Sequence, residues 1–117
     1  MATRAAIPWE NIVDLHQQTV DQDVLADPQC EFAVGIYRLE PHQLHPLHLH
    51  TAAAEFYFVV AGRARFTVGD ELVDGTAGTT IYLPVGLPHA IQTANEPVEV
   101  HYSFTPADIN ALGTTFI

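Results

Sequence analysis

Lysine is missing altogether from this 117-residue chain, and its whole basic complement is Arg4, Arg38, Arg63 and Arg65 against 14 acidic residues. Schiff-base and lysine-nucleophile chemistry are thereby excluded. A formal charge of −10 with so few basic side chains disfavours nucleic acid as a partner, because phosphate binding needs clustered Lys and Arg to displace counterions. Cysteine is nearly as scarce. Cys30 stands alone, cannot form an internal disulfide, and gives no argument for an oxidising compartment. No apolar run approaches the roughly 20 residues that cross a bilayer as a helix. The first residues, MATRAAIPWENIV, also lack the continuous apolar stretch of a secretory signal. The expectation is a cytoplasmic protein with no membrane partner. Charged residues make up only 15% and apolar ones 48%, which excludes intrinsic disorder and gives one folded domain at this length. Histidine is what the chain has in excess: seven, of which four fall between positions 42 and 50.

The chain divides into an N-terminal extension, 1–31, and a β domain, 32–117. In the extension, Pro8, Trp9, Ile12, Val13 and His16 have a loose helical spacing, and 21–31 reads as a polar connecting loop. From Phe32 onward, short runs of β-branched and aromatic residues alternate with Gly, Pro, Asp and Asn, the pattern of a sandwich or barrel. The expected strands are Phe32–Leu39, Leu47–His50, Glu55–Val60, Ala64–Val68, Glu71–Val73, Thr79–Leu83, His89–Thr93 and Val98–Phe104. Runs this closely spaced leave no room for crossover helices, so a parallel α/β sheet is excluded.

Chemistry concentrates in Leu47-His48-Leu49-His50-Thr51-Ala52-Ala53-Ala54-Glu55-Phe56-Tyr57. Side chains at i and i+2 of a strand share a face, so His48 and His50 present two imidazoles together. A short connection then brings Glu55 to the start of the next strand. Two imidazoles and a carboxylate suit one divalent transition metal, Fe, Mn, Zn or Ni. His89, opening its strand after the Pro84–Pro88 turn, is the candidate fourth ligand. An isolated His-x-His is more often a hydrogen-bonded pair than a metal site, and the combination of spacings is what raises this one.

The spacings resemble the two motifs of the cupin superfamily. The first, G-x5-H-x-H-x3,4-E-x6-G, is matched by His42-x5-His48-x-His50-x4-Glu55-x6-Gly62, with His42 in place of the leading glycine. The second, G-x5-P-x-G-x2-H-x3-N, is matched by Gly78-x5-Pro84-x-Gly86-x2-His89-x3-Thr93, with Thr93 in place of the asparagine. The resemblance implies an all-β fold of the double-stranded β-helix (jelly-roll) type, with His48, His50, Glu55 and His89 on the four metal-ligand positions. It also implies a homodimer, often formed by exchange of N-terminal strands, with which the polar extension and a Val59-Val60 edge are compatible.

Tyr57 shares the face of Glu55 and reads either as a proton donor or base near the metal, or as a core tyrosine with a satisfied hydroxyl. The Glu-x-Tyr sequence resembles that of the small cupin dimethylsulfoniopropionate lyases, in which a pocket tyrosine abstracts a proton. His101 is a second candidate for the pocket wall. His45 lies an odd number of residues from His48 and faces away from the ligand pair in an unbroken strand, a condition that Pro46 makes unsafe. Arg63 and Arg65 are expected on the solvent side of a strand whose core face is Ala64, Phe66 and Val68. The resulting expectation is a metal-dependent lyase, isomerase or dioxygenase acting on a small organic substrate. Its alternative is a non-catalytic cupin that binds a metal or small ligand.

Overall fold

A computed structural model describes residues 22–25, 32–105 and 113–117. Its strands are β1 (Gln22–Leu25), β2 (Ala33–Leu39), β3 (Leu44–His50), β4 (Ala54–Val68), β5 (Glu71–Thr76), β6 (Thr80–Leu83), β7 (His89–Gln92), β8 (Val98–Thr105) and β9 (Thr114–Phe116). All pairings are antiparallel, and no helix occurs among the described residues. The path runs β1-β2-β8-β4-β7-β3-β9, with β5 and β6 also on β4. The expected all-β double-stranded β-helix is therefore the fold. The helical spacing at Pro8–His16 lies outside the described residues, as does Cys30.

Strand β4 organises the barrel. Its first part, from Ala54 to Gly62, pairs with β8 and in part with β6; its second, from Arg63 to Val68, pairs with β5 and in part with β7. The sequence reading placed a break at Gly62, whereas the strand continues through it. Glycine here bends the strand between its two sets of partners: φ is 79°, and a Cβ would lie 1.9 Å from the Pro97 carbonyl oxygen. The register also shifts between Val59 and Ala61. Because β4 has partners on both sides, Val59-Val60 is not an exposed edge. Two strands escaped the sequence reading. Strand β1 falls where a loop was expected, and β9 pairs with β3 through only three residue pairs.

Alternation then sorts the side chains. Tyr57, Val59, Phe66, Leu83, Ile91, Val98, Val100, Tyr102 and Phe104 point inward and form one buried core. Phe56, Phe58 and Tyr82 point outward and are about half exposed. Arg63 and Arg65 are exposed while Ala64 and Phe66 are buried, as the strand pattern predicted.

Both departures from the cupin motifs have a structural account. His42, in the turn between β2 and β3, holds φ at 61°, the left-handed conformation that glycine adopts without strain. The motif's backbone geometry is thus kept by a residue that is strained in it. His42→Gly should relieve part of the roughly 1–3 kcal/mol such a conformation costs, less the extra unfolded-state entropy of glycine. A rise in melting temperature of a few degrees is expected in a thermal melt. Thr93, in the asparagine position, is buried; its Oγ1 accepts the Gln43 N–H at 2.9 Å and donates to the Glu40 carbonyl. It anchors that same turn to the end of β7.

Candidate metal centre

Four chain positions converge inside one end of the barrel. His48 and His50 come from β3, Glu55 from the start of β4 and His89 from the start of β7, and all four are buried. His48 and His89 are direct cross-strand partners. The ligand nitrogens of His48, His50 and His89 lie within 4.8 Å of one another. Glu55 Oε1 is 3.2 Å from His50 Nε2 and 3.6 Å from His89 Nε2.

The hydrogen bonds orient the imidazoles for this purpose. His48 Nδ1–H donates to the Pro46 carbonyl at 2.7 Å and His89 Nδ1–H to the Leu87 carbonyl at 2.9 Å. His50 Nδ1 is bonded to Thr114 Oγ1 at 3.0 Å. A neutral imidazole that donates through Nδ1 leaves Nε2 as a bare acceptor, the form in which histidine binds metal. Glu55 Oε1 and His89 Nε2 are buried with no hydrogen-bond partner. Acceptors gathered this way repel one another unless a cation or proton lies among them, so the residues fit a divalent metal. Burial pushes the His48 imidazole down to about 4, partly offset by the Pro46 carbonyl. His48 is accordingly neutral at neutral pH. Burial would raise the Glu55 carboxyl, but contact with His50 and His89 brings it below its ordinary value.

Around this cluster is a cavity of about 200 Å³, walled by Tyr37, His45, Tyr57, Tyr102, Phe104 and Phe116. Tyr57 is buried with its ring 5.9 Å from that of His89. His45 lies in this wall although odd spacing alone would turn it outward. His45 pairs with Ile91 and His48 with His89, so Pro46 and Leu47 intervene on β3 where only Ala90 intervenes on β7. This extra residue is a β-bulge, and it returns His45 to the inner face. There its Nδ1 is hydrogen-bonded to the Tyr37 hydroxyl and its ring is 4.3 Å from that of His48. Burial, with the neighbouring histidines, pushes it down to about 3.

His101 is not brought to the cavity. Tyr102 holds the inward position on β8, so alternation turns His101 outward beside its cross-strand partner Phe58. The expectation that it walls the pocket is corrected. A larger, shallower cleft of about 500 Å³ lies at Arg63, Arg65, Asp74, Gln92 and Glu96. Arg63 pairs there with Asp74 at 2.9 Å, and the cleft holds no buried titratable cluster among the described residues. The smaller cavity is where the chemistry gathers.

Thr114 had no signal in the sequence, since it lies 64 residues from the imidazole it holds. The β3–β9 register sets Thr114 opposite His50 and Phe116 opposite His48. Thr114→Val keeps the shape of the side chain and removes this hydrogen bond. Metal affinity should fall about 10–100-fold, the usual effect of losing such a partner, while Thr114→Ser should retain it. Competition against a chromogenic chelator measures both.

A curled antiparallel sheet around three inward imidazoles and a carboxylate belongs to the class of double-stranded β-helix proteins with a candidate divalent-metal centre. The chain is a member of the cupin family: the profile of the cupin domain matches residues 35–104. An uncharacterized protein of Streptomyces coelicolor is 36% identical over 76 residues, covering 65% of this chain and 71% of that one. Oxalate decarboxylase of Bacillus subtilis is 39% identical over 67 residues, which is 53% of this chain but only 17% of that protein. Among solved structures, a double-stranded β-helix protein of Klebsiella pneumoniae superposes with a TM-score of 0.79 over 97% of both chains at 16% identity, a likeness of fold.

Proposed function

We propose that this cupin is a metal-dependent enzyme that acts on a small organic molecule inside the barrel, with lyase or isomerase chemistry. His48, His50, Glu55 and His89 would hold one divalent transition metal, drawn from Fe, Mn, Zn and Ni. The observation that carries the reading is the Nε2 atoms of His50 and His89 turned toward a buried Glu55 oxygen that has no hydrogen-bond partner, beside His48, with the Nδ1 of all three histidines engaged elsewhere. A metal there supplies Lewis acidity toward an oxygen of the bound molecule. The chain's own residues do the rest. The Tyr57 hydroxyl holds or accepts a proton, and the rings of Tyr37, Tyr102 and Phe104 limit the water that reaches it. The resemblance to oxalate decarboxylase supports bond cleavage next to a carboxyl group, and the Glu-x-Tyr sequence supports proton abstraction by Tyr57.

Metal analysis of the purified protein, followed by a screen of small carboxylic and hydroxy acids with oxygen uptake recorded, tests this reading. About one equivalent of metal is expected. Turnover without oxygen uptake, lost in His48→Ala and His89→Ala, supports the proposal. Iron with oxygen consumption would replace it by a dioxygenase. Metal binding with no turnover across the screen would favour a binding cupin. Less than about a tenth of an equivalent after reconstitution would overturn the metal site itself.

The same proposal includes a cytoplasmic homodimer and the division of the chain into an extension, 1–31, and the barrel. The outward face of Phe56, Phe58 and Tyr82 supports association, with the Phe56 and Tyr82 rings 5.0 Å apart and half exposed. Light scattering on a sizing column should give twice the 12.8 kDa chain mass, and a 12.8 kDa species would reject the dimer.

A further inference from the structure

Very few groups set the charge inside the cavity. Its walls are five aromatic rings, of Tyr37, Tyr57, Tyr102, Phe104 and Phe116, together with His45. Glu55 is the one carboxylate that lines it, and no arginine does among the described residues. Each described arginine is committed or directed elsewhere. Arg38 is paired with Glu40 at 2.9 Å and Glu99 at 3.4 Å, Arg63 is paired with Asp74, and Arg65 is exposed beside the outer cleft. Lysine does not occur in the chain. A divalent ion on three neutral imidazoles and one carboxylate keeps a single net positive charge, enough to neutralise one anionic group. Among the described residues a second anionic group in the cavity would have no arginine to meet it, and burying an unpaired charge is strongly unfavourable.

We propose that the cavity selects small molecules carrying one anionic group, with an uncharged remainder against the aromatic walls, and that it rejects dianions. This inference rests on the metal reading above and adds the class of ligand. Size agrees with it. At about 200 Å³ the cavity is below the range of about 300–1,000 Å³ that takes drug-sized ligands, and holds a molecule of only a few carbons. Phe116 lines the cavity on an exposed side. Its ring centre is 5.5 Å from that of His48, and the side chain is 62% exposed, so it stands between the metal ligands and solvent without being part of the core. A ligand anchored at the metal would direct its far end past this ring, where a guanidinium could be accommodated and none is present among the described residues.

The test is a matched pair of probes on the cobalt(II)-loaded protein: succinic acid monohydroxamate and its terminal amide. Both offer the same monoanionic hydroxamate head and nearly the same shape, and they differ by one distal negative charge. Binding is read from the visible spectrum of cobalt, without any turnover. The amide should bind at least about tenfold more tightly, an advantage that persists in high salt, because repulsion from the chain's overall charge is screened over about 10 Å at 0.1 M while a contact inside the cavity is not. Phe116→Arg should tighten the carboxylate probe about tenfold or more and abolish the preference, and Arg4→Ala, outside the described residues, should leave it unchanged. Equal affinity for the two probes in the wild type, a preference that salt removes, a preference altered in Arg4→Ala, or failure of both probes to change the cobalt spectrum would each overturn the charge selection. Failure of the wild type to take up cobalt at all would overturn the metal reading instead, before either probe is added.

Discussion

Tyr57→Phe should lower turnover between about a hundredfold and ten-thousandfold, the range in which a positioned general acid or base contributes. The argument is geometric. Tyr57 follows Glu55 by two positions on β4, is buried in the cavity wall, and lies edge-on to His89 and opposite Tyr102. Phenylalanine keeps the ring and its packing against Phe66 while removing only the hydroxyl. Metal content should therefore stay at the wild-type value, and one limb of the pH–rate profile should disappear. A variant that retains full turnover with a full complement of metal would reduce Tyr57 to a wall residue.

Glu55→Gln should have the largest effect on metal binding. Its carboxylate is the one acidic group of the candidate set, buried 3.2 Å from His50 Nε2 and 3.6 Å from His89 Nε2. Glutamine fills the same space, so the fold is preserved, but the cation loses its only negative partner. Breaking a buried charge pair costs about 3–5 kcal/mol, so metal affinity should fall by roughly two to four orders of magnitude. Isothermal titration with manganese or zinc measures this directly. An affinity within a few-fold of wild type would remove Glu55 from the ligand set and leave three histidines.

The parts of the site legible in the sequence are those built from strand alternation and short turns. His48 and His50 share a face because they are two residues apart, Glu55 follows within one short connection, and His89 opens the strand paired with β3. The illegible parts depend on counts that slip by one residue or on contacts between distant segments. His45 reaches the cavity only because a bulge adds a residue to β3, and periodicity cannot supply that residue. His101 was misplaced by a single position in β8, where the inward place belongs to Tyr102. Thr114 belongs to a strand of three residues that pairs with β3 across most of the chain, so no local pattern announces it. Gly62 was read as punctuation because glycine usually ends a strand, whereas here it lets one strand change partners.

That change of partners bears on how the molecule comes apart. A barrel whose two halves met only through side chains could lose one half and keep the other. Here the backbone of β4 is hydrogen-bonded into both, with Glu55 near one end and Val68 at the other. Loss of either set of pairings frees part of the same strand, so the two halves open as one cooperative unit. The candidate ligands His48, His50, Glu55 and His89 are drawn from β3, β4 and β7, so a metal held by them would be released together with the tertiary structure, in a single transition.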